Sequence, residues 1–107
     1  MRLSKQFHEI DNLLIGFIEG EIDNYTALIL KNELELIGLT ESMTIELDLS
    51  KVIFMDSSGL GVIVAFYKRV IKEKADLKLV VSERIMRMFT ITGLIEFMDI
   101  ELARVNQ

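Results

Sequence analysis

Midway along the chain Met43, Ile45, Leu47 and Leu49 alternate with Thr44, Glu46 and Asp48. That two-residue period belongs to a strand. An apolar run at residues 52–55 follows at once, and Asp56-Ser57-Ser58-Gly59 comes next. Asp56 is a natural N-cap for a helix whose Leu60, Ile63, Val64, Tyr67 and Ile71 line one face. A strand that feeds directly into a helix leaves few folds open, and the same order recurs on both sides.

Upstream, residues 6–10 and 13–18 read as two short strands joined by a tight turn at Asp11-Asn12, with Gly20 closing the second. Asp23 then caps a helix in which Ala27, Leu30, Leu34 and Ile37 fall at helical spacing, and Gly38 is placed to end it. Downstream, Leu77, Leu79 and Val81 mark another strand. Ser82 caps a third helix carrying Ile85, Met88 and Phe89, Gly93 takes its C′ position, and residues 97–102 form a last strand. Helices alternating with strands a dozen or more residues apart need crossover connections. The predicted class is therefore α/β, a mixed, mostly parallel sheet with helices packed on it. With 107 residues, no proline and no repeat or linker-like stretch, residues 1–107 make one domain.

Half the residues are hydrophobic and 27% are charged, which supplies a core and a well-solvated surface. The formal net charge is −5, and the most basic stretch, residues 68–74, has Glu73 and apolar residues mixed into it. Nucleic-acid binding, which needs clustered Lys and Arg, is disfavoured. Without cysteine there is no disulfide framework and no thiolate metal site. Arg2, Ser4 and Lys5 precede no apolar run, so no standard signal peptide is expected, and no stretch nears the ~20 apolar residues that span a bilayer. The expected location is the cytoplasm, away from membranes.

The loop from Asp56 to Gly61 concentrates the chemistry. Ser57 and Ser58 fall in the first turn of the helix, where N–H groups lack intrahelical partners and the dipole is positive. A phosphate there meets favourable donors. Gly59 and Gly61 keep the backbone uncluttered, although helix propensity prefers alanine by about 1 kcal/mol per site. A plain helix cap also accounts for Asp56-Ser57-Ser58, and local physics does not separate the two readings.

The segment Asp48-Leu49-Ser50 through Met55-Asp56-Ser57-Ser58-Gly59-Leu60-Gly61 resembles the signature of the STAS domains (sulfate transporter and anti-sigma-factor antagonist), and within them the bacterial anti-sigma-factor antagonists. Gly20-Glu21-Ile22-Asp23 resembles that family's step into its first helix. Arg87-Met88-Phe89 with Thr92-Gly93-Leu94 resembles its third helix and glycine exit. Together these matches cover residues 17–97 in the family's order. The resemblance implies phosphorylation of Ser57, with Asp56 helping to hold the loop and Ser58 its neighbour. The implied partners are an anti-sigma factor with serine kinase activity, which uses ATP, and a phosphoserine phosphatase that restores the cycle. The unphosphorylated form is then expected to bind the anti-sigma factor and release the sigma factor. The alternative is a constitutive STAS scaffold subunit of a signalling or lipid-transport complex. The family's final amphipathic helix has no counterpart of useful length in residues 103–107.

The expected partner-binding residues are Asp23, Asp56, Ser57, Ser58, Gly59, Val62 and Phe66, the last two one turn apart on a surface that starts at Ser57. Leu28, Ile29 and Leu36 lie outside the main stripe of the first helix and are expected to be buried on a broad face. His8, the single histidine, is a surface or half-buried strand residue far in sequence from Ser57. The Gly-x-Ser-x-Gly elbow is missing and no base accompanies the serine, so no enzyme, catalytic residue, cofactor or metal is expected. Gly59-Leu60-Gly61 is no dinucleotide motif, since Val64 holds the third glycine position.

Overall fold

The alternating stretch at mid-chain is the centre of the sheet in the computed structural model, which describes residues 3–104. The elements are β1 (Leu3–Ile10), β2 (Leu13–Ile22), α1 (Asn24–Glu35), β3 (Thr44–Met55), α2 (Ser57–Lys72), β4 (Asp76–Val81), α3 (Glu83–Ile91), a 3₁₀ turn at Leu94–Glu96 and β5 (Asp99–Leu102). The strands lie in the order β1-β2-β3-β4-β5. β1 and β2 form an antiparallel hairpin, and β2 through β5 are parallel. The hairpin turns at Asp11-Asn12, with Ile10 opposite Leu13 and Asp11 in the left-handed region at φ 54°, a conformation that aspartate tolerates.

Because each crossover advances one strand in the same direction, right-handed connections place α1, α2 and α3 on one face of the sheet. Ile18, Ile45, Leu47, Leu49, Leu79, Ile63 and Phe89 are almost wholly buried between the layers. On the opposite face Thr44, Glu46 and Asp48 are half-buried, and Lys78 pairs with Glu101 at 2.9 Å across β4 and β5. The hydrogen bond and charge of Lys78 hold the Glu101 carboxyl below its ordinary range, though an exposed pair adds little to stability.

The alternating stretch and the apolar run after it are one strand, not two pieces. β3 carries an extra residue relative to β2 between the pairs Phe17–Asp48 and Glu19–Lys51, and another between Gly20–Val52 and Glu21–Phe54. Each bulge shifts the inward phase, so burial passes from Ile45, Leu47 and Leu49 to Val52 and Met55. Asp48 braces the first bulge, its Oδ1 accepting from the Ser50 N–H at 2.9 Å and the Ser50 hydroxyl at 2.6 Å. Gly20 does not close β2. The strand runs on to Ile22, and Gly20 adopts φ 110° beside the second register shift.

Other expectations are corrected at the helices. α1 ends at Glu35 with Leu36 as C-cap, ahead of Ile37 and Gly38. The guanidinium of Arg69 on α2 explains this: it donates to the carbonyls of Leu34 (3.0 Å) and Ile37. Acceptors that a glycine C′ turn usually satisfies are thereby met. Leu28, Ile29 and Leu36 are not buried: they are 58%, 48% and 80% exposed. The buried face of α1 is the narrow set Thr26, Ala27, Leu30 and Leu34. α2 buries Gly59, Ile63, Phe66 and Val70, because it packs on α1 as well as on the sheet, and Ile71 is left exposed. Ser82 caps α3, and Gly93 follows it at φ 78° as expected. Only residues 99–102 of the expected last strand pair, since the 3₁₀ turn takes Leu94–Glu96 and Phe97 is exposed.

Replacing Arg69 by alanine removes both side-chain bonds, leaves the Leu34 carbonyl with the Ile37 N–H at 3.2 Å, and loosens the seat of α1 on α2. We expect Arg69→Ala to lower unfolding free energy by about 2 kcal/mol in urea titration. Arg69→Lys should recover less than half of that, because a single ammonium does not span both carbonyls as a guanidinium fork does.

Candidate functional site

β2 and β3 end at the same level. Ile22 is opposite Met55, and the Asp56 N–H donates to the Ile22 carbonyl at 3.1 Å. Each strand is followed by one aspartate and then a helix, so two helix N-termini start side by side. At the first, Asp23 Oδ1 accepts from the N–H groups of Tyr25 (2.9 Å) and Thr26 (3.1 Å). The Thr26 hydroxyl accepts from the Asp23 N–H at 2.9 Å, closing a capping box. At the second, Asp56 Oδ1 accepts from the N–H groups of Ser58 (2.9 Å) and Gly59 (3.3 Å). The two dipoles add at this edge, where they favour negative charge.

Five of the expected residues meet here: Asp23, Asp56, Ser57, Ser58 and Gly59. Ser57 is the first residue of α2, its side chain exposed. Its hydroxyl makes no hydrogen bond among the described residues. Ser58 is half-buried, and its hydroxyl donates to Asn24 Oδ1 at 2.7 Å, tying the first turn of α2 to that of α1. Gly59 is buried where a Cβ would lie 2.6 Å from Ile22 Cγ2 and 2.7 Å from Met55 Cγ, so α2 can start this close to both strands only with glycine. Gly61 differs from that expectation. A Cβ there would meet nothing within 4 Å.

From Ser58 a groove of about 280 Å³ runs between α1 and α2, lined by Lys31, Leu34, Glu35, Gly61, Val62, Ala65, Phe66 and Arg69. Val62 is half-buried on its wall. Phe66, expected on the surface that starts at Ser57, faces inward instead. It is 4% exposed and sits at the groove's base, because the 59-63-66-70 spacing turns it toward the core. His8 is exposed on β1 toward the hairpin end, its ring edge-on to Phe17 at 6.0 Å, away from the helix starts. Sequence reasoning missed Asn24. It carries no motif, and only the side-by-side arrangement of the helices brings it to Ser58.

The two glycines should therefore respond oppositely. Gly59→Ala pushes a methyl into buried Ile22 and Met55 and should cost about 1–3 kcal/mol in chemical denaturation. Gly61→Ala should leave the fold intact and gain up to about 1 kcal/mol from helix propensity.

The family model described as STAS domain matches residues 4–105. The chain is 43% identical over 102 residues to the anti-sigma-B factor antagonist of Bacillus subtilis, covering 94% of this chain and 92% of that one. It is 39% identical over 103 residues to the protein of the same name from Listeria monocytogenes, covering 94% and 90%. Among solved structures, an anti-sigma factor antagonist from Mycobacterium paratuberculosis superposes with TM-score 0.81 at 26% identity, covering 92% of this chain and 85% of that one. The phosphorylated form of the Bacillus protein SpoIIAA shares the fold, with TM-score 0.73 at 19% identity over 94% and 92%. By sequence and by fold, the chain belongs to the STAS domain family.

Proposed function

We propose that this chain antagonises an anti-sigma factor by reversible protein–protein contact, and that phosphate on Ser57 turns the contact off. Relatives sharing 39% and 43% of its residues carry the name of such antagonists. The observation that carries the switch is the exposed, uncommitted hydroxyl of Ser57 beside two helix N-termini. In this reading the unphosphorylated chain binds a serine-kinase anti-sigma factor in the cytoplasm and displaces its sigma factor. The kinase then phosphorylates Ser57 with ATP, and a phosphatase resets the chain. The chain itself is not an enzyme: it supplies a hydroxyl, and the kinase supplies base and nucleotide.

Two physical effects work in one direction. In the free chain the added −1.5 to −2 charges face the paired helix starts, and water screens them from the Asp23 and Asp56 carboxylates. On binding, the same charge loses water against the partner, so the phosphorylated complex is penalised. A difference of ~3 kcal/mol weakens affinity more than a hundredfold. The contact extends from Asp56–Gly59 over Val62 and the groove. Its second side is Tyr25, Leu28 and Ile29, at i, i+3 and i+4 on the exposed face of α1.

The test pairs the purified chain with its kinase anti-sigma factor and ATP, maps phosphate by mass spectrometry, and measures affinity by calorimetry before and after. Phosphate on Ser57 and a Kd raised at least about 100-fold are expected. Ser57→Ala should bind and not be switched. Phosphate on another residue, or unchanged affinity after full modification, overturns the proposal.

A further inference from the structure

Two adjacent serines stand in the first turn of α2, and a kinase that reaches one is within a residue of the other. We infer that Asn24 decides between them: by engaging the Ser58 hydroxyl it leaves Ser57 as the phosphoryl acceptor. The inference rests on the proposed modification of Ser57 and adds the residue that makes it selective.

The two hydroxyls differ in what holds them. Ser58 is pinned twice, through its N–H to Asp56 Oδ1 at 2.9 Å and through its hydroxyl to Asn24 Oδ1 at 2.7 Å. It is also half-buried against the groove between the helices. Ser57 is exposed, and its hydroxyl is uncommitted among the described residues.

Phosphoryl transfer forms a bond from a serine Oγ to the γ-phosphorus of ATP. It breaks the bond from that phosphorus to the β–γ bridging oxygen and releases ADP. The hydroxyl proton passes to a basic side chain of the kinase. The Ser58 proton points instead at a neutral amide oxygen, which accepts a hydrogen bond but is no base. To react, Ser58 must first break that bond and turn its lone pairs outward. A phosphate on Ser58 would also sever the link between the first turns of α1 and α2. Ser57 meets neither obstacle. Asn24 is thus a positioning residue that acts through Ser58, with no contact to nucleotide required.

The test compares the full chain carrying Ser57→Ala, Asn24→Ala with Ser57→Ala, and Asn24→Gln with Ser57→Ala, beside wild type. Each is incubated with the kinase anti-sigma factor and ATP, and phosphate is located by peptide mass spectrometry. Wild type should carry phosphate on Ser57, and Ser57→Ala should take almost none. Asn24→Ala with Ser57→Ala should gain phosphate on Ser58 at least about fivefold faster than Ser57→Ala, the loss of one ordinary hydrogen bond. Asn24→Gln keeps a neutral amide acceptor and should recover at least part of the block, which a merely structural role for Asn24 would not explain. Thermal melts establish that each variant is folded. Equal labelling of Ser58 with and without Asn24, or an unlabelled Asn24→Ala, Ser57→Ala chain beside labelled wild type, overturns the inference alone. Wild type that takes no phosphate on Ser57 overturns both this inference and the function on which it rests.

Discussion

The level ending of β2 and β3 governs everything at the candidate site. A single backbone hydrogen bond, from the Asp56 N–H to the Ile22 carbonyl at 3.1 Å, marks where two parallel strands give way to two helices. Had either strand run one residue further, its aspartate cap and helix start would be displaced from the other's. Instead Asp23 and Asp56 cap side by side, and two capped first turns face one patch of solvent. Gly59 is the steric condition for this, since any Cβ would press on both strand ends.

That level ending depends on the bulges in β3. Strand β3 carries two residues more than the stretch of β2 it pairs with, and each irregularity turns the next inward position by one. Without the first, Val52 would not share the core with Ile45, Leu47 and Leu49, and the second restores their phase at Met55. The Asp48–Ser50 hydrogen bonds stabilise the first bulge locally. A polar pair in mid-strand therefore has a backbone role, and through strand length it reaches the site seven residues on.

Most elements were legible because their signals are local. Asp23, Asp56 and Ser82 cap the helices they precede, and Gly93 leaves α3 in the left-handed conformation. The misreadings share one cause, which is that the decisive partner lies far along the chain. Gly38 looked like a helix stop, but Arg69 satisfies the end of α1 from another helix. Phe66 looked available to a partner, yet α2 is rotated by its packing on α1, which buries Phe66 and leaves Ile71 out. Leu28 and Ile29 looked like core, but a helix on the edge of a two-layer fold has only a narrow face to bury. Asn24 was invisible for the same reason. Its partner Ser58 is 34 residues away.

Tolerance of added negative charge at Ser57, on a chain of net charge −5, depends on the range of the forces involved. At physiological salt the Debye length is about 8 Å, so distant surface carboxylates are largely screened at Ser57. Aligned peptide dipoles act within the first turn, where the carboxylates of Asp23 and Asp56 already offset part of their field. The global charge then governs solubility and encounter, while the helix starts and their two aspartate caps set the environment of a charge added to the hydroxyl. Such a division allows a strongly acidic protein to carry one spot where further negative charge is tolerated. It confines that tolerance to the free surface, because a docked partner removes the water on which the exposed side of the phosphate depends.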